Sequence, residues 1–424
     1  MNKPKNFLLS AVLSLPLGYL WVCCFLLGFS DSRYAGTPLD RIAAWYPLLF
    51  AVCFFLWGSF LFSSRRAQTR EHLFWLLCAA LIAAAMALGR CRATPGWCYL
   101  ALHGFAGYWL LCRAGMLTEK ITSAFLPCDL LETFVILPFG NFFLRIITFF
   151  HALRELLRKA EAASRKNFAA AAVVVVLAVP VFLAAGSLLG QADDTFAAIW
   201  NSIGAFFTFR WEIPRWLRAF GSRFVLGLPV GAYLFGLAGG SFRRESPRLN
   251  GENTRQSLQK LRLAPTGAVL GVLGCFITLY LVFFGVQAGH LLGAFIGSVP
   301  GKLTAAQYAR QGFFQLTLVM AINFLLLGAA ALCSREAPAR HRVLRGMGTA
   351  LMVESIFLAV TAAAKLGLYI SRFGFTPLRL LSMWGVLVMT AGCVLTIGSL
   401  QGLRGAARKW VWFAAAAFTA LCFF

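Results

Sequence analysis

Charge is scarce in this sequence, and acidic charge is scarcest. Only 13% of the 424 residues are charged, about half the share of a soluble domain, and 15 acidic residues stand against 39 basic ones. The chain also lacks a P-loop, a Gly-x-Ser-x-Gly and a His-Glu-x-x-His motif. No Cys-x-x-Cys pair occurs among its 12 cysteines, and its five histidines are scattered. The sequence therefore predicts no metal site and no cofactor, and it offers no recognisable catalytic centre.

Long apolar runs are what the sequence has instead. Hydrophobic residues make up 60% of the chain, and runs of about 18 or more apolar residues, enough to cross a bilayer, recur along it. We predict an all-α, polytopic transmembrane helix bundle of about eleven spans with interfacial amphipathic helices. The first run is too long for a signal peptide, so we predict an uncleaved span there. The predicted spans are Phe7–Phe29, Ile42–Phe62, Leu73–Leu88, Pro95–Cys112, Phe168–Leu189, Phe224–Phe242, Ala264–Val286, a helix that ends near Cys333, Met347–Ile370, Leu378–Leu400 and Trp410–Phe424.

The basic residues cluster in the gaps between these runs and give the chain a formal charge of +24. Under the positive-inside rule, their placement puts the amino terminus in the cytoplasm and the carboxy terminus outside. It also favours anionic lipids at the cytoplasmic face as the partner, rather than nucleic acid. A basic cytoplasmic loop, residues 243–263, divides the chain into amino-terminal membrane helices (1–242) and a carboxy-terminal membrane bundle (264–424).

One segment between the fourth and fifth predicted spans has amphipathic spacing. Phe143 and Phe150 belong to an apolar set that repeats at helical intervals, while Arg145 and Arg154 occupy other faces. This pattern predicts a helix that lies on the cytoplasmic leaflet. Such a helix either binds lipid or a partner, or it seals the junction between two bundles.

The ninth predicted span carries ionisable groups at membrane depth. Glu354, Thr361, Lys365 and Arg372 fall at offsets 0, 7, 11 and 18, which share one helix face within roughly 20°. A polar stripe of this kind faces a bundle interior or a wet cavity rather than lipid. Glu354 and Lys365 lie about 16 Å apart along the helix axis, so each needs a partner on another helix. The candidate partners are Arg379, Arg310, Tyr308 and Asn323.

Cys91 and Cys98 lie in the predicted outer loop between the third and fourth spans. Pro95 and Gly96 between them turn the chain, and an outer surface allows disulfides to persist. Geometry alone leaves two readings open: a Cys91–Cys98 disulfide, or two free thiols with one at the top of the fourth span.

Two motifs carry a resemblance to known proteins. The first is Tyr308-Ala-Arg-Gln-Gly-Phe-Phe-Gln-Leu, and the second runs from Tyr369 to Trp384 with Gly374, Thr376 and Arg379 in place, although Phe replaces the usual Tyr at 373 and the usual Leu at 375. Over roughly residues 264–400 the chain resembles the bacterial membrane-protein family DUF4173, related to DUF4153. The resemblance implies a multi-pass protein of the bacterial cytoplasmic (inner) membrane, and it brings no known activity with it.

Three functions remain open at this stage. In the first, the stripe lines the path of an anionic or lipid-like substrate, with Arg372 and Arg379 close together across a tight outer turn at residues 371–376. In the second, the protein is a non-catalytic signalling or envelope-assembly component whose charges only hold helices together. The third, an intramembrane enzyme, lacks a clustered His/Asp/Cys set.

Overall fold

The computed structural model describes residues 5–29, 44–65, 70–91, 95–159, 215–296 and 305–423, together with residues 178, 182, 185, 189 and 200. Every regular element in these residues is helical, and their one isolated bridge joins Ala264 to Ser334. A π-helical stretch, Glu132–Ile136, lies between the fifth and sixth helices. The α-helices are α1 Lys5–Phe29, α2 Tyr46–Leu61, α3 Glu71–Ala87, α4 Pro95–Ala114, α5 Leu126–Leu131, α6 Leu137–Gly140, α7 Leu144–Lys159, α8 Arg215–Arg243, α9 Gly251–Gln259, α10 Thr266–Ile296, α11 Ala305–Cys333, α12 Arg342–Phe373, α13 Pro377–Leu400 and α14 Ala406–Leu421.

Six of these helices are long and apolar enough to cross a membrane: α1, α8, α10, α11, α12 and α13. A seventh span results if α5–α6 and α7, which are bent by 41° at a short break, count as one crossing. The helices α2 and α3 are apolar but shorter. The all-helical prediction is thus confirmed with six or seven spans in the described residues. The predicted span Phe168–Leu189 lies almost entirely outside those residues.

The amino-terminal helices pack around a crossing of α1 and α8 that is built from glycine. A Cβ added at Gly18 would lie 2.2 Å from the carbonyl oxygen of Gly227 and 2.6 Å from the backbone nitrogen of Gly231. Gly227 and Gly231 are four residues apart, so both face α1 and let the two backbones touch. Arg145 of α7 closes this contact: its guanidinium is buried and donates to the carbonyl oxygen of Leu228 at 2.8 Å.

Arginine side chains tie several helix ends together on one face of the molecule. Arg113, at the end of α4, donates to the carbonyl oxygens of Phe62 at 2.7 Å and Arg65 at 2.8 Å, just after α2. Arg65 in turn donates to the carbonyl oxygen of Phe242 at the end of α8, at 2.8 Å. These bonds satisfy carbonyls that a helix end leaves without partners. The ends of α2, α4 and α8 therefore lie on the same side.

The last helix, α14, packs on both α13 and α3, and its inner residues belong to the amino-terminal core. Arg408 near its start forms a 2.8 Å ion pair with Glu71, the first residue of α3. Trp412 stacks on Phe74 with ring centroids 4.3 Å apart. Cys422, just beyond the end of α14, lies near the end of α3. The two helices are therefore parallel neighbours, although more than 300 residues separate them.

A second core belongs to α10, α11, α12 and α13, with α12 packed against the other three. A backbone pair fixes its end on the α9 side: Ala264 donates to the carbonyl oxygen of Cys333 at 2.9 Å and accepts from Arg335 at 3.1 Å. The start of α10 thus meets the end of α11. The basic segment before it, predicted as a loop, contains the short helix α9, capped by Asn250.

The predicted amphipathic helix corresponds to α7, and part of its apolar surface is exposed. Phe143 and Phe150 are each about two-thirds exposed, whereas Arg145 and Thr148 are buried against the protein. These phenylalanines thus point away from the protein, and the polar side chains point into it. An outward apolar face is what an interfacial helix presents to lipid.

Candidate functional site

The polar stripe of α12 is buried for most of its length. Glu354 is 7% exposed, Thr361 5% and Lys365 8%, and all three lie in a helix that continues unbroken from Arg342 to Phe373. Arg372, in the last turn of this helix, is exposed. The stripe therefore enters the carboxy-terminal core and ends at a surface.

A hydrogen-bonded chain crosses three helices one residue away from Glu354. The hydroxyl of Tyr280 in α10 donates to Oδ1 of Asn323 in α11 at 2.7 Å, and Nδ2 of Asn323 donates to the hydroxyl of Ser355 at 2.9 Å. The hydroxyl of Ser355 in turn donates a hydrogen bond to the carbonyl oxygen of Leu351, one turn back in α12, at 2.8 Å. The amide of Asn323 is thus bonded to Tyr280 and Ser355, and it is not the partner of Glu354.

Glu354 itself has no hydrogen-bond or ion-pair partner among the described residues, and its Oε2 is fully buried. Three other buried carboxylates in those residues are held by partners. Glu71 accepts from the backbone N–H and the hydroxyl of Thr122, both at 2.6 Å. The other two, Asp129 and Glu132, are bound by Thr118 N–H and by Arg244. A carboxylate without such support in a membrane helix costs several kcal/mol.

Few features of the sequence mark those three bound carboxylates. Asp129 and Glu132 do interrupt an apolar stretch, and this interruption is the one signal that marks them. Their partners come from distant parts of the chain, as the 3.3 Å ion pair between Glu132 and Arg244 shows. Because each acid is bonded, we assign them to the packing of the amino-terminal helices.

Arg379, in the first turn of α13, bonds to the turn between α12 and α13. Its guanidinium donates to the carbonyl oxygens of Phe373, at 2.9 Å, and of Gly374, and its Cζ lies 4.1 Å from the ring centre of Tyr369. Gly374 has a φ of +75°, a conformation that favours glycine. Residues of the second motif thus shape this turn. It is shorter than predicted, because α12 extends to Phe373.

Two predicted site residues lie at the start of α11. Tyr308 and Arg310 fall within its first two turns, since the helix begins at Ala305. Their side chains lie outside the described residues. Their place beside the stripe therefore stays a prediction.

Cys91 and Cys98 are free thiols in the structure, and both are buried. Their sulfur atoms lie within 4.8 Å of each other and of the sulfur of Cys422. The two predicted residues are thus close, and the disulfide between them stays a prediction.

The apolar spans, the two helical cores and a charged stripe inside one of them define a helical membrane protein. The chain belongs to the family described as a domain of unknown function, DUF4153, whose model matches residues 48–424. The match reaches into both cores, well beyond the carboxy-terminal region that the motifs indicated. No curated protein and no solved structure matches the chain.

Proposed function

We propose that this protein is a permease-like carrier of the bacterial cytoplasmic membrane for an anionic or lipid-like substrate, and that Glu354 is the ionisable group of its path. The observation that carries the proposal is the buried carboxylate of Glu354, without a partner among the described residues. A carboxylate whose role is only to hold helices together needs a cation or hydrogen-bond donors in contact with it, as Glu71 and Glu132 have. Intramembrane carboxylates that lack such contacts typically bind a proton, an ion or a substrate.

The rest of the stripe supports an anionic substrate. Lys365 is buried in the same core, and Arg372 stands exposed where α12 reaches the surface. Cationic groups at a surface and deeper along one helix face attract and guide an anion. Tyr308 and Arg310 join this path if α11 presents them to α12.

The proposed topology has about eleven spans with the amino terminus in the cytoplasm. The parallel arrangement of α3 and α14 supports it, because the eleven-span order also runs both helices outward. The basic face that holds the ends of α2, α4 and α8 would be cytoplasmic. The same proposal includes an evolutionary relationship between this chain and the family DUF4173.

A non-catalytic signalling or envelope-assembly component is the second candidate. Two observations favour it: α12 is unbroken at Glu354, and the Tyr280–Asn323–Ser355 chain is complete. Carriers of many families bind substrate where a helix is interrupted, and α12 has no such break.

Glu354→Gln separates these functions because it keeps the shape and removes the charge. We would compare wild type, Glu354→Gln and Lys365→Met in proteoliposomes that contain an internal pH dye, with carboxylate and phosphate anions added outside. Glu336→Gln is the matched control, since Glu336 is exposed in the connection before α12. Wild type and control should show anion-dependent pH changes, Glu354→Gln less than a tenth of them, and all variants wild-type melting temperatures.

Three results would contradict the carrier. The first is an unchanged signal in Glu354→Gln, and the second is a wild-type protein that responds to none of the anions. The third is a lower melting temperature and membrane abundance of Glu354→Gln, which would mean that the carboxylate holds the fold together.

A further inference from the structure

Three cysteines from three separate elements meet at one end of the amino-terminal core. Cys91 follows α3, Cys98 lies near the start of α4, and Cys422 comes directly after α14. All three sulfur atoms lie within 4.8 Å of one another, and the Cys98 and Cys422 sulfurs are 3.7 Å apart. The residues are 8%, 1% and 5% exposed.

The spacing of the sulfurs fits a shared metal ion better than a covalent pair. Thiolates bound to one ion at about 2.3 Å lie roughly 3.8–4.0 Å from each other, close to the observed 3.7 Å. A disulfide requires about 2.05 Å and joins only two sulfurs, so it would leave the third thiol unpaired in a buried place. Coordination of one metal ion thus explains why the sulfurs of Cys91, Cys98 and Cys422 all lie close together. A single disulfide would explain the position of only two of them.

The donor set selects the metal. Thiolate sulfur is a soft ligand and favours soft ions such as Cu(I) over Mg²⁺ or Ca²⁺, which take oxygen. Structural Zn²⁺ is bound by four ligands, whereas the cluster contains three residues of the described chain and no histidine or carboxylate. A three-sulfur, trigonal arrangement suits a monovalent copper ion.

We propose that Cys91, Cys98 and Cys422 form a binding site for one Cu(I) ion. Binding forms three Cu–S bonds in place of S–H bonds and releases the thiol protons to solvent, with no change in the oxidation state of copper or sulfur. The ion would join the turn after α3 to the carboxy-terminal end of α14. It would therefore stabilise the docking of the last helix, independently of any role of Glu354.

The test uses the full-length protein, purified anaerobically in detergent and titrated with Cu(I), supplied as its acetonitrile complex, against a chromophoric Cu(I) chelator. Wild type should bind one Cu(I) per chain and gain thermal stability. Cys91→Ser, Cys98→Ser and Cys422→Ser should each weaken binding at least tenfold. Cys393→Ser, which removes a buried thiol in the other core, should bind like wild type.

Measurements on the unmodified protein keep the proposal testable if a serine variant does not fold. X-ray absorption of the copper-loaded wild type should show three sulfur neighbours at about 2.3 Å. Alkylation with and without Cu(I), followed by mass spectrometry, should show less labelling of these three thiols when Cu(I) is present and unchanged labelling of the other cysteines. A Cys91–Cys98 or Cys98–Cys422 disulfide in protein isolated without reductant would overturn the site. Absent or equally strong binding in all variants, or tighter binding of Zn²⁺ than of Cu(I), would overturn it as well.

Discussion

At the scale of single residues, Asn323 is the polar centre of the carboxy-terminal core. Its amide accepts from Tyr280 and donates to Ser355, so it joins α10, α11 and α12 by two hydrogen bonds. Hydrogen bonds between membrane helices contribute about 0.6 kcal/mol each on average. Tyr280→Phe should therefore lower the unfolding free energy by about this amount. Asn323→Leu should lower it more, because it removes both bonds.

A double-mutant cycle in detergent unfolding measures this link. Combining Tyr280→Phe with Asn323→Leu should cost less than the sum of the two single changes, since both remove the same bond. Ser382→Ala is the control, because the exposed Ser382 hydroxyl bonds only within its own helix. Additive losses would show that the Tyr280–Asn323 bond contributes nothing.

Residue spacing predicted part of the site and missed the rest for a definite reason. The offsets of Glu354, Thr361 and Lys365 correctly place them on one buried face, because a single helix determines that relation. Tyr280 and Ser355 were missed, since their bonds to Asn323 depend on how three helices pack. Helical spacing identifies a face, and it does not identify what lies opposite.

At the scale of elements, the crossing of α1 and α8 depends on glycine. A Cβ at Gly227 would lie 2.8 Å from the backbone nitrogen of Tyr19, and backbone cannot move aside as a flexible side chain does. Gly227→Ala should force the helices apart and lower the unfolding free energy by about 1–3 kcal/mol. Gly221→Ala in the same helix meets no atom within 4 Å and should be neutral or slightly stabilising, because alanine favours a helix. Equal melting temperatures for the two variants would contradict this packing.

The helix termini show what local sequence signals can and cannot predict. The predicted span Leu378–Leu400 agrees with α13, which begins at Pro377, because the restrictions of proline act within one or two residues. The end of α12 is predicted less well: the predicted span ends at Ile370, whereas the helix continues to Phe373. The carbonyls there are bonded by Arg379 from the next helix, which local spacing does not reveal.

At the scale of the whole molecule, α14 connects the two cores. The sequence predicts that everything after residue 263 forms one bundle; α14 packs on α13 of that bundle and also on α3, and its inner residues belong to the amino-terminal core. The ion pair between Glu71 and Arg408 and the cluster of Cys91, Cys98 and Cys422 join positions more than 300 residues apart. Charge patterns and hydropathy do not report such contacts, so neither the docking of α14 nor the cysteine cluster was predictable.

The parallel pair of α3 and α14 makes the predicted topology testable at both ends. Arg255 in α9 follows the end of α8, on the basic face proposed to be cytoplasmic, whereas residue 424 follows the opposite end of α14. Reporter fusions after Arg255 should be active only as cytoplasmic reporters, and fusions after Phe424 only as external ones. Arg408→Glu should leave both locations unchanged but lower stability, because it replaces the partner of Glu71 with a like charge. Finding both fusions on the same side would require an even number of crossings between Arg255 and Phe424, and the eleven-span order would be wrong.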